Sequence, residues 1–293
     1  MPNRSERPND EPVAGAFAML DILGFKERLV SMALPELRDK VVGALVTSAA
    51  AAHIIVSGDR ERAARWGRTE LAALDWAYFS DSIVLWLPSG AADARLTMTS
   101  MIYACEILVA QAMWLNLPLR GAIAYGECAF SHDPIYYVGK PIIEAYRTEQ
   151  AQEWAGVAVC ESAAAHVHPS EGRVVKWRVP MKASRSRSVG VGPRARMHAA
   201  VDCIRDAIAP PPAVIEKEMM VVDWPWACQP TPNWNACFLN STDASVVRKR
   251  TYTATFFEKR RKIGPARGGS VFGPEQDATR WRELYEGSRA ARE

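Results

Sequence analysis

The chain has 293 residues, a hydrophobic fraction of 48%, a charged fraction of 24% and a net charge of +3. These values are typical of a soluble globular protein, and the charge is too small to indicate nucleic acid or a membrane as the main partner. The six cysteines include no C-x-x-C pair, which argues against a zinc site and a disulfide framework. Because residues 1–12 are polar and proline-rich, we expect a disordered N-terminus, no targeting segment and a cytoplasmic location.

The first predicted element is a short buried strand that ends in a carboxylate. Residues 14–20 (AGAFAML) form an apolar run that is too short for three helical turns, and Asp21 follows it directly. A helical pattern then dominates residues 26–56, with a predicted break at Pro35. The sequence therefore predicts a strand and a helical segment with an aspartate between them.

A hairpin is predicted next, in residues 74–88. Aromatic and β-branched residues flank a polar centre at residues 80–82, which indicates two strands with Asp81 at or near the tip. The later elements, in chain order, are a helix over 92–115, a strand over 119–125, a helix over 140–154 that begins after Gly139, and a strand over 156–159.

This order of strands and helices predicts an α+β fold. Its commonest form is the ferredoxin-like palm, an antiparallel sheet with helices on one face. In that layout the end of the first strand lies beside the tip of the central hairpin, so Asp21 and Asp81 would face each other. Beyond these elements, the pattern predicts a mobile basic loop over 181–196, a strand over 216–224, and two late helices, over 244–262 and 278–291.

Two neighbouring carboxylates with no basic side chain beside them repel each other, and a shared divalent cation relieves the repulsion. Oxygen ligands suit Mg²⁺ or Mn²⁺, and two such ions can clamp the attacking and leaving oxygens of a phosphoryl displacement. From spacing alone, another interpretation remains open, in which Asp21 caps a helix and Asp81 is a turn residue.

Four segments resemble the catalytic domains of class III nucleotidyl cyclases, in the same order. They are F-A-M-L-D-I-L-G-F (17–25), F-S-D-S-I (79–83), L-R-G-A-I-A-Y-G-E (119–127) and V-G-K-P-I-I-E-A-Y-R (138–147). The resemblance spans about residues 14–160 and implies a catalytic domain over 13–180, with residues 181–293 as an extension that completes the domain or a dimer. It also implies a homodimer with active sites at the interface.

The resemblance also implies roles for individual residues. Asp21, Asp81 and the backbone carbonyl of Ile22 would hold two Mg²⁺ or Mn²⁺ ions, and Arg147 would stabilise charge on the transferred phosphoryl group. Backbone N–H groups of residues 22–25 would cradle the triphosphate. The residues expected to contact the substrate are Phe17, Ile22, Leu23, Gly24, Phe25, Tyr78, Tyr136, Ile143 and Arg147.

Departures from the family pattern bear on the substrate. Ile143 stands where the family has an asparagine that orients the ribose, and neither pair of residues that reads a purine is present: the first position falls at Ala77 or Tyr78 and the second near Tyr136. This pattern resembles the pyrimidine cyclases of the bacterial Pycsar anti-phage systems, which implies conversion of UTP to cyclic UMP. A cytidylate cyclase, a purine cyclase with other base contacts, and a catalytically silent nucleotide sensor remain as alternatives.

Overall fold

The computed structural model describes residues 12–46, 48–50, 52–53, 74–89, 93–132, 135–167, 173–183, 213–228 and 231–263. The strands are β1 (Val13–Ile22), β2 (Asp75–Phe79), β3 (Ser82–Pro88), β4 (Leu119–His132), β5 (Ile135–Gly139), β6 (Gly156–Val159), β7 (Val174–Lys182) and β8 (Val214–Val222). The helices are α1 (Phe25–Ser31), α2 (Leu34–Leu37, which continues into a π-helical turn, Arg38–Val42), α3 (Ala94–Trp114), α4 (Lys140–Ala151), α5 (Glu161–Ala164), α6 (Trp234–Cys237) and α7 (Ala244–Ile263). Most of the predicted loop over 181–196 and the whole predicted helix over 278–291 lie outside the described residues.

One mixed sheet organises the structure, in the strand order β2-β3-β1-β4-β6-β8-β7, with β5 paired to the outer part of β4. The pairs β1–β3, β1–β4 and β2–β3 are antiparallel, so the first four strands have the ferredoxin-like order. The predicted α+β fold is confirmed. One difference from the predicted antiparallel sheet is that β6 runs parallel to β4.

The two faces of the sheet carry different helices. Alternate residues of β1, such as Ala18 and Leu20, belong to the main core, in which α3 is buried. The helix α4 lies against the opposite face, where Phe17 and Trp86 form a second cluster with Ala145. The helix α3 therefore lies on the core face of the sheet, whereas α4 covers the other face and differs from the expectation of helices on one face only. Small side chains of β4 on this second face, Ala122 and Ala124, allow a helix to approach closely.

The helix α3 is the central element of the main core. It begins at Ala94, and the preceding residue, Asp93, is its N-cap, because the Asp93 carboxylate accepts a hydrogen bond from the Leu96 N–H at 2.7 Å. By length and composition it is the one helix in the described ranges that could cross a membrane, with a mean hydropathy of 1.3, but 78% of that window is buried inside the fold.

The described part of the predicted extension packs into the same core. The strand β8 lies between β6 and β7, and Phe256 of α7 meets the rings of Trp154 and Trp177 with centroids 4.9 and 5.0 Å apart. A buried ion pair joins α7 to the end of β8, because Arg260 donates two hydrogen bonds to Asp223 at 2.8 and 2.6 Å. Deleting α7 would therefore expose core aromatic surface and leave Asp223 without its partner.

Candidate functional site

Asp21 and Asp81 are neighbours at one end of the sheet. Asp21 is the penultimate residue of β1 and pairs with Ser82, the first residue of β3. The Ile22 N–H donates a hydrogen bond to the Asp81 carbonyl at 3.0 Å, which ties the end of β1 to the hairpin tip. Ser80, with φ of 59°, adopts the left-handed conformation that the tight turn before Asp81 requires. The fold thus brings together the two carboxylates that the ferredoxin-like layout predicts to be adjacent.

The environment of Asp21 disfavours its ionised form. Burial raises its pKa from an ordinary value of 3.8 to about 7, and the negative charges of Glu149 and Asp81 add to the rise. A hydrogen bond with Asp81 acts in the same direction, whereas the positive charge of Arg120 opposes it. The Asp21 side chain retains 17% exposure. Asp21 is thus a partly buried carboxylate next to other carboxylates, an arrangement that a bound cation would stabilise.

A basic side chain does lie beside the aspartates, contrary to the sequence-based expectation. Arg120 faces Asp21 directly across the β1–β4 pair, and its Nη2 is 3.5 Å from Asp21 Oδ2. The same guanidinium forms a much shorter ion pair with Glu149, at 2.5 Å. Sequence reasoning missed both residues. The antiparallel register places Arg120 opposite Asp21, but the approach of Glu149 depends on how α4 packs against the sheet.

The segment expected to cradle a triphosphate is only partly available for that role. The N–H groups of Ile22 and Leu23 already donate to the carbonyls of Asp81 and Pro118, at 3.0 and 2.9 Å. The prediction that these two N–H groups bind phosphate is therefore wrong. Gly24 precedes α1 with φ of 78°, and Phe25 is the first residue of that helix. The remaining N–H groups of the predicted cradle are therefore those of Gly24 and Phe25.

Phe17 lies on the Asp21 side of β1 but is fully buried. It belongs to the cluster beneath α4 and meets the ring of Tyr137 edge to face, with centroids 6.3 Å apart. In this conformation it supports the sheet and has no surface for a substrate.

The two tyrosines proposed to read the base are not brought together. Ser82 pairs with both Asp21 and Phe79, so these three side chains share one face of the sheet. Tyr78 directly precedes Phe79 and therefore points to the opposite face, where it packs against the main core. Its hydroxyl is buried, and no residue of the described part offers it a hydrogen bond. The strands β3, β1 and β4 separate β2 from β5, which carries Tyr136. A shared pocket for these two tyrosines within one chain is therefore wrong.

Other residues of β2 and β5 lie on the Asp21 face. Ala77 and Phe79 alternate with Tyr78 and point to that face. Tyr137, next to Tyr136, stacks on Phe130 with centroids 5.4 Å apart and joins the cluster beneath α4. Of the two positions that the sequence offered for the first base contact, Ala77 is thus the one on the side of the carboxylates.

Arg147 and Ile143 lie on the outward side of α4. Ile143 is 53% exposed and Arg147 is exposed, whereas Ala145 and Glu149 are buried. Side chains two positions apart in an α-helix point in directions that differ by about 200°. Arg147 therefore points away from Glu149 and from the sheet. Within one chain, Arg147 therefore does not reach the carboxylates through the face on which Glu149 contacts Arg120.

The protein side chains alone do not complete a metal centre. In the described ranges, no group of three or more His, Cys, Asp or Glu side chains is arranged to hold a metal ion. The third carboxylate near the aspartates, Glu149, is engaged by Arg120. A cation held by Asp21 and Asp81 would have to complete its coordination with water or with substrate oxygens.

No family model and no curated protein matches this chain. Among solved structures, it is similar to the catalytic core of a rhodopsin-guanylyl cyclase with converted specificity, in complex with ATPalphaS, at 10% identity and a TM-score of 0.41, over 72% of this chain and 96% of that one. It is also similar to a class III adenylyl cyclase-like ATP-binding protein from Pseudomonas aeruginosa, at 13% identity and a TM-score of 0.39, over 55% of this chain and 36% of that one. At these scores, the likenesses support no statement about activity.

Proposed function

We propose that this chain is a nucleotidyl cyclase, which converts a nucleoside triphosphate to a 3′,5′-cyclic nucleotide and pyrophosphate. The observation that carries the proposal is the pair formed by Asp21 and Asp81, because Asp21 is partly buried and its pKa is raised to about 7 by burial and by neighbouring carboxylates. Perturbed carboxylates of this kind cluster at functional sites, and a bound divalent cation would offset their mutual repulsion. The sequence resemblance to class III cyclases supports this choice over other two-carboxylate chemistry.

The donor set fits Mg²⁺ or Mn²⁺. Mg²⁺ is usually held by one or two carboxylates together with water and substrate phosphates, which agrees with a site that has two available aspartates. Bound ions of this kind would activate the ribose 3′-hydroxyl and offset the charge of the triphosphate. Asp21 and Asp81 would hold the ions, and the N–H groups of Gly24 and Phe25 would donate to phosphate oxygens. The backbone carbonyl of Ile22 is proposed as a further ligand.

A complete site requires two chains. Arg147 lies on the outward face of α4, so it can serve the carboxylates of a second copy but is turned away from those of its own chain. The exposed side chains of Ile143 and Tyr146 next to it, 53% and 50% exposed, would be covered in such a homodimer. In the dimer, Arg147 would stabilise the charge that develops on the transferred phosphoryl group.

We further propose a pyrimidine substrate, with UTP favoured over CTP, and a role of the cyclic product as a second messenger in bacterial anti-phage defence. This part rests on the resemblance to the Pycsar cyclases and on the missing purine-reading pairs, and on no contact made by Tyr78 or Tyr136. A purine cyclase whose base contacts come from other residues is the alternative that the position of Tyr78 keeps open.

The test is to incubate the purified protein with Mn²⁺ and each of the four triphosphates and to identify the products. We expect cyclic UMP from the native protein and none from Asp81→Asn. Asp39→Asn, at an exposed aspartate paired with Arg38, is the matched control and should keep full activity. Tight nucleotide binding without any product would indicate a silent sensor, and cyclic AMP or cyclic GMP as the main product would refute the pyrimidine assignment.

A further inference from the structure

Arg120 lies between two carboxylates of different character. On one side is Glu149, which is fully buried. Its Oε1 accepts a hydrogen bond from Arg120 Nε at 2.6 Å and forms an ion pair with Arg120 Nη2 at 2.5 Å. On the other side is Asp21, whose Oδ2 is 3.5 Å from the same Nη2. Arg120 is itself buried, and its Nη1 donates to the Gln152 carbonyl at 3.1 Å. The guanidinium is therefore held in place by α4 and the residue after it, and Asp21 is its weaker partner.

The two oxygens of Asp21 have different neighbours. Oδ2 faces Arg120, whereas Oδ1 is 3.5 Å from the Ser82 hydroxyl, next to the hairpin tip. A planar guanidinium that is fixed by other bonds restricts the orientation of a carboxylate next to it. Arg120 thus directs one oxygen of Asp21 towards the hairpin that carries Asp81.

An arginine beside a cation-binding carboxylate would ordinarily weaken cation binding, because it cancels part of the negative charge. Glu149 removes this effect. With both members of the ion pair present, the local charge from Asp21, Asp81, Arg120 and Glu149 is that of two uncompensated carboxylates. If Glu149 were neutral, only one negative charge would remain, and Arg120 would be free to pair more closely with Asp21.

We propose that Arg120 and Glu149 act together as positioning residues for the proposed cyclase site: Arg120 orients Asp21, and Glu149 offsets the positive charge of Arg120, so that a divalent cation meets the net negative charge of both aspartates. This inference rests on the proposed function for its link to catalysis.

The experiment compares Mn²⁺ binding and turnover in three variants. Mn²⁺ affinity is measured by titration calorimetry on the metal-free protein without nucleotide, and kcat and KM are measured with UTP. Glu149→Gln keeps the shape and one hydrogen-bond acceptor but removes the charge, so we expect Mn²⁺ to bind about tenfold more weakly. The double variant Arg120→Met/Glu149→Gln removes both charges, and we expect Mn²⁺ affinity within about threefold of native, with kcat lower by about 100-fold.

Arg120→Lys is the second single variant. It provides a test if the buried substitutions at Arg120 and Glu149 described above prevent folding. Lysine keeps the positive charge but lacks the planar fork, so we expect nearly native Mn²⁺ affinity, an unchanged KM for UTP and a kcat reduced by about tenfold or more. Chemical denaturation of every variant establishes that the protein remains folded under assay conditions.

Several results would overturn the inference. Unchanged Mn²⁺ affinity in Glu149→Gln would refute the charge argument, as would a double variant that binds Mn²⁺ as weakly as the single one. Native kcat in the double variant would refute the orienting role of Arg120, and native protein that binds no Mn²⁺ would refute the whole inference. Native protein that binds Mn²⁺ but converts no triphosphate would instead refute the proposed function, and the calorimetric comparison would still decide the role of the pair.

Discussion

Replacing Asp21 with asparagine should abolish turnover and yet stabilise the metal-free protein at neutral pH. The pKa of Asp21 is raised from 3.8 to about 7, first by burial and then by Glu149 and Asp81. Between about pH 4 and pH 7, the folded protein binds more protons at Asp21 than the unfolded chain does. The free energy of unfolding therefore falls as the pH rises from about 4 to about 7, and the contribution of Asp21 is constant above that range.

The size of the effect follows from the shift. At about 1.4 kcal/mol for each pKa unit, a rise from 3.8 to about 7 corresponds to about 4 kcal/mol. Because Asp21 retains contact with solvent, we expect about half of this value, or about 2 kcal/mol, to be gained by Asp21→Asn at pH 8. At pH 4 the native carboxyl is protonated and resembles the amide, so the two proteins should differ little. Arg120 keeps Glu149 as its partner in the variant, so no buried charge is left alone.

The assay is urea denaturation at pH 4, 6 and 8 in the presence of a chelator, repeated at pH 8 with Mn²⁺. We expect Mn²⁺ to stabilise the native protein and not Asp21→Asn, because a cation that binds only the folded state raises its stability. Asp223→Asn is the control, since it removes the negative charge that the buried Arg260 guanidinium pairs with, and it should lower the free energy of unfolding by about 3 to 5 kcal/mol at pH 8. If Asp21→Asn is less stable than the native protein at pH 8, the electrostatic reasoning about this site is wrong.

Three further predictions follow from the site and the core. Mixing Asp81→Asn with Arg147→Ala subunits, each inactive alone, should restore activity if the two residues act across a dimer interface; exchange of subunits without recovery would place the site in one chain. Tyr78→Phe removes a buried hydroxyl without a hydrogen-bond partner in the described part of the chain, so it should raise stability by about 1 kcal/mol and leave the base preference unchanged; an altered preference would show that the hydroxyl reads the base. Phe256→Ala should lower the free energy of unfolding by about 3 to 5 kcal/mol, because it opens a cavity among three tryptophans. A decrease below about 1 kcal/mol in denaturation experiments would contradict the role of α7 in the core.

The sequence by itself determined the elements that carry the aspartates. The apolar run before Asp21 and the polar centre of the hairpin around Asp81 are local signals, and local signals suffice to predict where strands end and turn. The strand β6 and the helix α7 were likewise predicted within one residue of their observed bounds. The ferredoxin-like order then follows from general rules of sheet topology, which place the end of β1 beside the hairpin.

Only the tertiary structure decided which side chains surround those aspartates. Glu149 reaches Arg120 because α4 packs on the second face of the sheet, and nothing in the local pattern of either residue indicates that face. The position of Tyr78 depends on register, because a shift of one residue along a strand moves a side chain from one face to the other. Sequence pattern thus predicted the carboxylate pair, whereas its neighbouring charges depended on packing between elements far apart in the chain.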